Sequence, residues 1–292
     1  MRMLILPLTL LLTTVAFAQP GKTVAVPAGA FPMGCSPSDP DCETDEGRAG
    51  GTIVSVPAFS IDRREVTVAD FRACVESGRC AAPLTNERNK YCNYGHPERD
   101  RHPVNCVDWS QAQAYCAAQG GRLPTEPEWE KAARGGSTSR YPWGEQASCE
   151  HAILDEVSPA PSEHEPDGCY TDSTWPVGNR PANALGLLDA HGNVGEWTAN
   201  WYGADALSEI YAKGDLSGPA EGRRRVVRGG SWDENRPNLR SSFRNVKPAE
   251  QGDSIYGSIG FRCAYEPPTR AFGTRLSPES TAFALRTRFG IR

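Results

Sequence analysis

Ten cysteines carry the most chemistry this chain could perform, followed by five histidines, His96, His102, His151, His164 and His191. A cysteine can be half of a disulfide, a metal ligand or a thiolate nucleophile. The spacing disfavours zinc, because no two cysteines form a C-x-x-C pair and the histidines form no H-x-x-x-H or H-x-H set. An even count leaves no odd cysteine to act as a nucleophile. Disulfides are the remaining use. Spacing alone selects no single connectivity, but sequence proximity favours Cys35–Cys42, Cys74–Cys80, Cys92–Cys106 and Cys149–Cys169, each enclosing loop-type residues. Cys116 and Cys263 are then left as a long-range staple. A chain of 292 residues can bury a large core without such clasps, so the bridges point to an oxidising compartment.

The first residues agree with that reading. Arg2 precedes an apolar run from Met3 to Leu12, and Ala16-Phe17-Ala18 supplies small residues ahead of a cut after Ala18. Residues 1–18 are therefore expected to be a signal peptide, and the protein to be secreted or periplasmic. The run is too short for a membrane span. Thirty-one basic against 36 acidic side chains give a net charge of −5, which argues against nucleic acid as the main partner.

The elements that must position these residues are short. Thr67 to Asp70 reads as a capping box that opens a helix closed by Gly78. Ser110–Gln119 reads as a second helix, with Ala112, Tyr115 and Cys116 on one face and Gly120-Gly121 as its stop. Thr125-Glu126-Pro127-Glu128 caps a third that ends at Gly135-Gly136. Strands are expected at Thr52–Val56, Phe59–Asp62, Arg225–Arg228 and Gly260–Ala264. Long loops rich in Gly, Pro, Asp and Ser, such as Ser36–Gly51 and Val157–Asp172, complete an α+β domain with little regular structure. One domain is expected over residues 19–265. Residues 266–292 form a basic tail, with five arginines against Glu279 beyond Pro268 and apolar alternation from Phe283 through Leu285, Phe289 and Ile291.

Gly121 to Arg134 reads GRLPTEPEWEKAAR, and four further blocks follow in order: Tyr141–Gly144 (YPWG), Gly186–Trp197 (GLLDAHGNVGEW), Arg228–Trp232 (RGGSW) and Gly260–Ala264 (GFRCA). With the opening Val24–Gly34 and Glu65-Val66-Thr67, these resemble the formylglycine-generating enzyme, or sulfatase-modifying factor, family. The resemblance implies a modified C-type-lectin-like fold, rich in disulfides here, and it too implies a Cys116–Cys263 bond.

The family's structural calcium set falls on Asp189, Gly192, Val194 and Glu196, two carboxylates and two carbonyls suited to a hard ion. A second set falls on Asp167 with the carbonyls of Ile153 and Cys169, but Ala152 stands where an asparagine is expected. Oxidising members bind copper(I) on two cysteines just after the GGS block. This chain has no cysteine between Trp232 and Arg262, and Asp233, Glu234, Asn235 and Arg236 occupy the region. Copper is therefore not expected, and no catalytic residue is assigned. The related sulfoxide synthases use iron on histidines of an added helical domain, which this sequence does not show. A groove can outlive its chemistry, and Ser231, Trp232, Asp233, Glu234 and Arg236 supply an aromatic platform, acceptors and a donor. A core role for Trp232 is the alternative. Arg228, Arg240, Arg244 and Arg262 are left between internal ion pairs and peptide contacts. Gly195, where relatives often carry Trp, either opens a pocket or loses a contact.

Three functions remain in view. The first is a calcium-stabilised accessory module that binds a peptide, a protein or another ligand without copper oxidase chemistry. The second is a formylglycine-generating-type oxidase or a periplasmic maturation enzyme, since some periplasmic relatives take part in siderophore maturation. The third is a lectin-like carbohydrate or adhesion protein, for which fold analogy is a weak warrant.

Overall fold

The computed structural model describes residues 21–83, 89–155, 169, 171–249 and 256–267. The expected signal peptide, Asp167 and the tail beyond Pro267 lie outside the described residues. Three small sheets and three main helices make an α+β domain. Strand β1 (Thr23–Val26) pairs antiparallel with β4 (Phe59–Asp62), and β4 with β9 (Ala264–Tyr265). Strands β2 (Gly29–Met33) and β3 (Thr52–Val56) form a separate antiparallel pair. The third sheet runs β7 (Asn245–Pro248), β6 (Arg224–Arg228), β5 (Gly195–Trp201) and β8 (Ile259–Gly260), antiparallel except for the β5–β8 pair.

Each main helix starts on a reciprocal cap. Thr67 and Asp70 close the box of α1 (Val68–Glu76), Asp108 and Gln111 that of α2 (Trp109–Ala118), and Thr125 and Glu128 that of α3 (Glu126–Arg134). Helix α3 ends on Gly135 in the left-handed conformation. A short helix α4 (Ala206–Glu209) contributes Leu207 to the buried cluster that holds Met33, Val54 and Val56 of β2 and β3. The expected Gly260–Ala264 strand survives only at its two ends, because Phe261, Arg262 and Cys263 all turn their side chains into the interior.

Charged residues fill much of the core. Arg244 forks onto Glu126 at 2.7 and 2.9 Å, and the Tyr211 hydroxyl donates to the same carboxylate. Arg228 and Arg134 share Glu130, Arg240 holds Glu46 and Asp39, and Arg262 holds Glu196. All four arginines that the sequence left undecided are therefore internal, nearly or wholly withdrawn from water. A buried ion requires such pairing, since desolvation alone costs several kcal/mol per charge.

The five disulfides pair Cys35–Cys42, Cys74–Cys80, Cys92–Cys106, Cys116–Cys263 and Cys149–Cys169, and no cysteine is free. The loop joining α3 to β5 turns through positive φ at Asp189 (52°), Gly192 (77°) and Asn193 (62°). At Gly192 a Cβ would sit 2.2 Å from the Ile153 carbonyl oxygen. Gly192→Ala is accordingly expected to lose about 2 kcal/mol in urea unfolding, from the φ penalty and the displaced carbonyl. Stability unchanged within error would contradict this packing.

Candidate functional site

The turn after β6 carries the cleft. Gly229 and Gly230 both take positive φ, and a side chain on Gly230 would collide with Leu239 and the Asn238 carbonyl. This tight turn delivers Trp232 and Asp233 to one wall of a cavity of about 410 Å³. Trp232 is 5% exposed and belongs to a buried cluster with Tyr141, Ile153, Leu154 and Leu239, so it is both core and cleft wall. Its ring lies 5.0 Å from that of Tyr91, and its indole N–H donates to the Gly257 carbonyl at 3.4 Å.

Three aromatic rings (Tyr91, Trp232, Tyr256) and three aspartates (Asp155, Asp172, Asp233) line the cavity, with Asn89 and the 257–258 backbone completing it. Disulfides place several of these groups. Tyr91 precedes Cys92, which is tied to Cys106, while Cys149–Cys169 clasps the segment flanking Asp155 and Asp172. The Ser231 hydroxyl donates to Asp233 Oδ1 at 2.6 Å, so Ser231 orients the carboxylate rather than facing a ligand.

Glu234 stands behind Asp233. One oxygen accepts from Asn245 Nδ2 at 2.8 Å, and the other is buried with no hydrogen-bond partner among the described residues. Burial, then the Asp233 charge, push its carboxyl up to about 7, against the pull of Lys247 and Asn245. Two lysine ammoniums already lie against cleft aromatics: Lys90 is 4.8 Å from the Tyr91 ring centre and Lys247 5.3 Å from that of Tyr256. Lys90 also pairs loosely with Asp172 at 3.6 Å.

The structure thus joins Trp232 and Asp233, supports them with Ser231 and Glu234, and leaves Arg236 elsewhere. Arg236 opens a 3₁₀ turn and lends its backbone carbonyl to the Tyr141 hydroxyl. Tyr91, Asp155, Asp172 and Tyr256 escaped the sequence reading. Their one sequence signal is that Tyr91 and Asp172 neighbour bridged cysteines.

A family model described as "Sulfatase-modifying factor enzyme 1-like domain" matches residues 11–267. The chain belongs to this family. It is similar to the formylglycine-generating enzyme of Mus musculus, 32% identical over 286 residues covering 83% of this chain and 74% of that one. The hercynine oxygenase of Mycolicibacterium thermoresistibile is 35% identical over 256 residues, covering 77% of this chain and 55% of that protein. Among solved structures, PvdO from Pseudomonas aeruginosa superposes with a TM-score of 0.65 at 27% identity, over 84% of this chain and 94% of PvdO. The family and the mixed helix-and-sheet fold with five disulfides are therefore as the motifs implied.

Within this member of the sulfatase-modifying factor family, neither family metal fits the residues present. Copper(I) takes soft thiolates, and all ten cysteine sulfurs are committed to disulfides. The side chains after the GGS block are hard oxygen donors and a guanidinium.

For calcium, both Glu196 oxygens are occupied: Oε1 accepts from Arg262 Nη2 at 2.6 Å, and Oε2 from Arg262 Nε and Trp129 Nε1, each at 2.7 Å. The Arg262 charge would repel a dication there. That leaves Asp189 and the Gly192 and Val194 carbonyls as the rest of the set, fewer than the about six to eight oxygens calcium gathers. Within the expected Asp189–Gly192–Val194–Glu196 set, Glu196 thus fastens Arg262. Glu65 adds to that fastening, accepting from Asn193 Nδ2 and from the Val194 backbone N–H. In the second set the Ile153 carbonyl accepts from the Asn193 N–H at 2.8 Å, and Asp167 lies outside the described residues.

Gly195 opens no pocket. A Cβ there would sit 2.9 Å from Val227, and the missing side chain lets the Gly195 N–H reach the Ser258 carbonyl at 2.9 Å. Among the described residues, no helix is long and apolar enough to cross a membrane.

Proposed function

We propose that this chain is a secreted or periplasmic member of the sulfatase-modifying factor family that binds a cationic peptide segment or amine in the Trp232 cleft. It does so without copper(I)–thiolate oxidation. The observation that carries the reading is the cavity itself: three aspartates on aromatic walls, with no lysine or arginine among the described residues that line it. Ring faces and carboxylates together favour an ammonium or guanidinium group. The family's peptide-handling groove motivates a peptide, and the five disulfides favour an oxidising compartment.

The test is calorimetric titration with a short lysine- and arginine-containing peptide against its acetylated, citrulline-containing counterpart. Asp172→Asn and Asp233→Asn keep the local hydrogen bonds while removing charge. Together they are expected to weaken the cationic peptide about tenfold, roughly 0.7 kcal/mol for each half-exposed charge. Glu234 is neutral below about pH 7 and ionised above it, so cation binding should strengthen several-fold as pH rises through that value. Equal affinity for the neutral peptide would end the cation reading. One tight copper(I) equivalent with oxygen uptake would end the non-oxidase reading.

A second reading, chemistry on the bound ligand, is favoured by Glu234, whose unpartnered oxygen and raised pKa suit a proton acceptor near neutral pH. It predicts a mass change in the bound ligand that Glu234→Gln abolishes.

A further inference from the structure

Arg225 on β6 lies flat between two indole rings. Its guanidinium carbon is 3.7 Å from the Trp109 ring centre and 3.4 Å from that of Trp201. At van der Waals separation from both rings the group cannot stand on edge, because its nitrogens would then enter one ring. Each wall is fixed. The Trp109 indole N–H donates to the Thr198 carbonyl at 2.8 Å. Trp201 stands opposite Arg225 on β5, where the β5–β6 register shifts, and Gly222 leaves room for it, since a Cβ there would lie 3.0 Å from the Trp201 Cβ.

The clamp holds this cation without neutralising it. Nη1 donates to the Ala199 carbonyl at 2.7 Å, while Nε is buried with no hydrogen-bond partner. Nη2 has no acceptor among the described residues and, unlike Nε, is open to solvent. Arg228, Arg240, Arg244 and Arg262 each hold a carboxylate, whereas Arg225 holds none among the described residues. Asp108, beside Trp109, is spent on the cap of α2 and on the Ser110 hydroxyl. Burial accordingly pulls the Arg225 pKa down to about 10, with no acid raising it. The surroundings add positive charge: Lys247 is its cross-strand partner on β7, and the exposed Arg223 and Arg224 precede it. A guanidinium covered on both faces, with one N–H buried and no counter-ion, lacks the acceptor that its desolvation calls for.

We propose that the Trp109–Arg225–Trp201 clamp is a carboxylate-binding site, with one ligand oxygen on Nη2 and the other drawn toward the Nε–H. The two rings close both faces of the guanidinium, so a ligand enters only in its plane. A carboxylate is itself flat and pairs with a guanidinium side by side in that plane. A tetrahedral phosphate is thicker and meets the ring rims. The ligand is read by its acid group rather than by a backbone. Strand β7 is an edge of its sheet, but its Val246 N–H is bonded to Asn245 Oδ1 and Pro248 has none, so it offers an incoming strand little to pair with. Arg225 is not among the residues lining the Trp232 cleft, so this site does not depend on what that cleft binds.

The probe is propionate, titrated while following the Arg225 Nε–H and Trp109 indole N–H resonances, which Arg225→Gln and Trp109→Phe identify. Propionate should saturate near ~10 mM, and propionamide and inorganic phosphate should each bind at least about tenfold more weakly. Arg225→Lys keeps the charge without the flat fork and should lose about tenfold, read on Trp109. Lys247→Gln should weaken binding about two- to threefold at low salt. Acetyl-Ala-Glu-Ala-amide, against its glutamine counterpart, separates the sources of the acid: tighter binding than propionate assigns the site to a peptide side chain, weaker binding to a free small acid. Propionamide equalling propionate, phosphate binding as tightly, unaltered affinity in Arg225→Lys, or no saturation up to ~100 mM would each overturn the assignment.

Discussion

Replacing Cys116 and Cys263 together by alanine is expected to lower the unfolding free energy by about 5 kcal/mol. The two sulfurs join positions 147 residues apart, so their bond removes the closure entropy of a loop spanning half the chain from the unfolded state. Removing Cys74 and Cys80, only 6 apart, should cost about 2 kcal/mol by the same relation. The long bridge also acts locally. It fixes α2 against the end of the chain, where Arg122 and Ala264 exchange backbone hydrogen bonds at 2.9 and 2.7 Å. Urea unfolding of the two double variants under non-reducing conditions provides the comparison. If the long-range pair costs no more than the short one, the staple is not what unites the middle and last thirds of the domain.

Much of this architecture was legible because local chemistry and tertiary structure agree. The Thr67/Asp70 and Thr125/Glu128 boxes sit where short-range rules place them, and Thr52–Val56 and Phe59–Asp62 are strands with the expected bounds. The second helix starts at Trp109, one residue earlier than expected, because Asp108 caps it. Strand β5 was not legible at all. Glu196, Thr198 and Asn200 are buried alongside Trp197, so the segment shows no polar–apolar alternation; its polar groups are satisfied by partners distant in sequence. The cleft divides the same way. Trp232 and Asp233 lie in a recognisable block, whereas Tyr91, Asp155, Asp172 and Tyr256 arrive from separate loops with no period to reveal them. Arg236 carries plausible chemistry in a plausible place, yet the 3₁₀ turn takes it out of the cleft lining.

Glu196→Ala is expected to cost about 3–5 kcal/mol, because it strands a charge. Arg262 is fully buried, and without the carboxylate it keeps, among the described residues, only the Asp62 and Leu188 carbonyls as hydrogen-bond acceptors. Burial works against the guanidinium charge, and Glu196 first, then Glu65 and Asp189, outweigh it and hold Arg262 above its ordinary pKa. The Trp129 indole N–H loses its acceptor as well, a further penalty of about 1–3 kcal/mol where water cannot enter. Two comparisons separate this account from a calcium site. The loss should be the same in calcium and in chelator, since Glu196 serves an arginine rather than an ion. Converting the pair together, Glu196→Leu with Arg262→Met, should recover much of it, because apolar residues of similar volume often match a buried ion pair in stability. A wild-type protein that falls to the stability of Glu196→Ala when chelated would show that calcium, not Arg262, is the partner Glu196 needs.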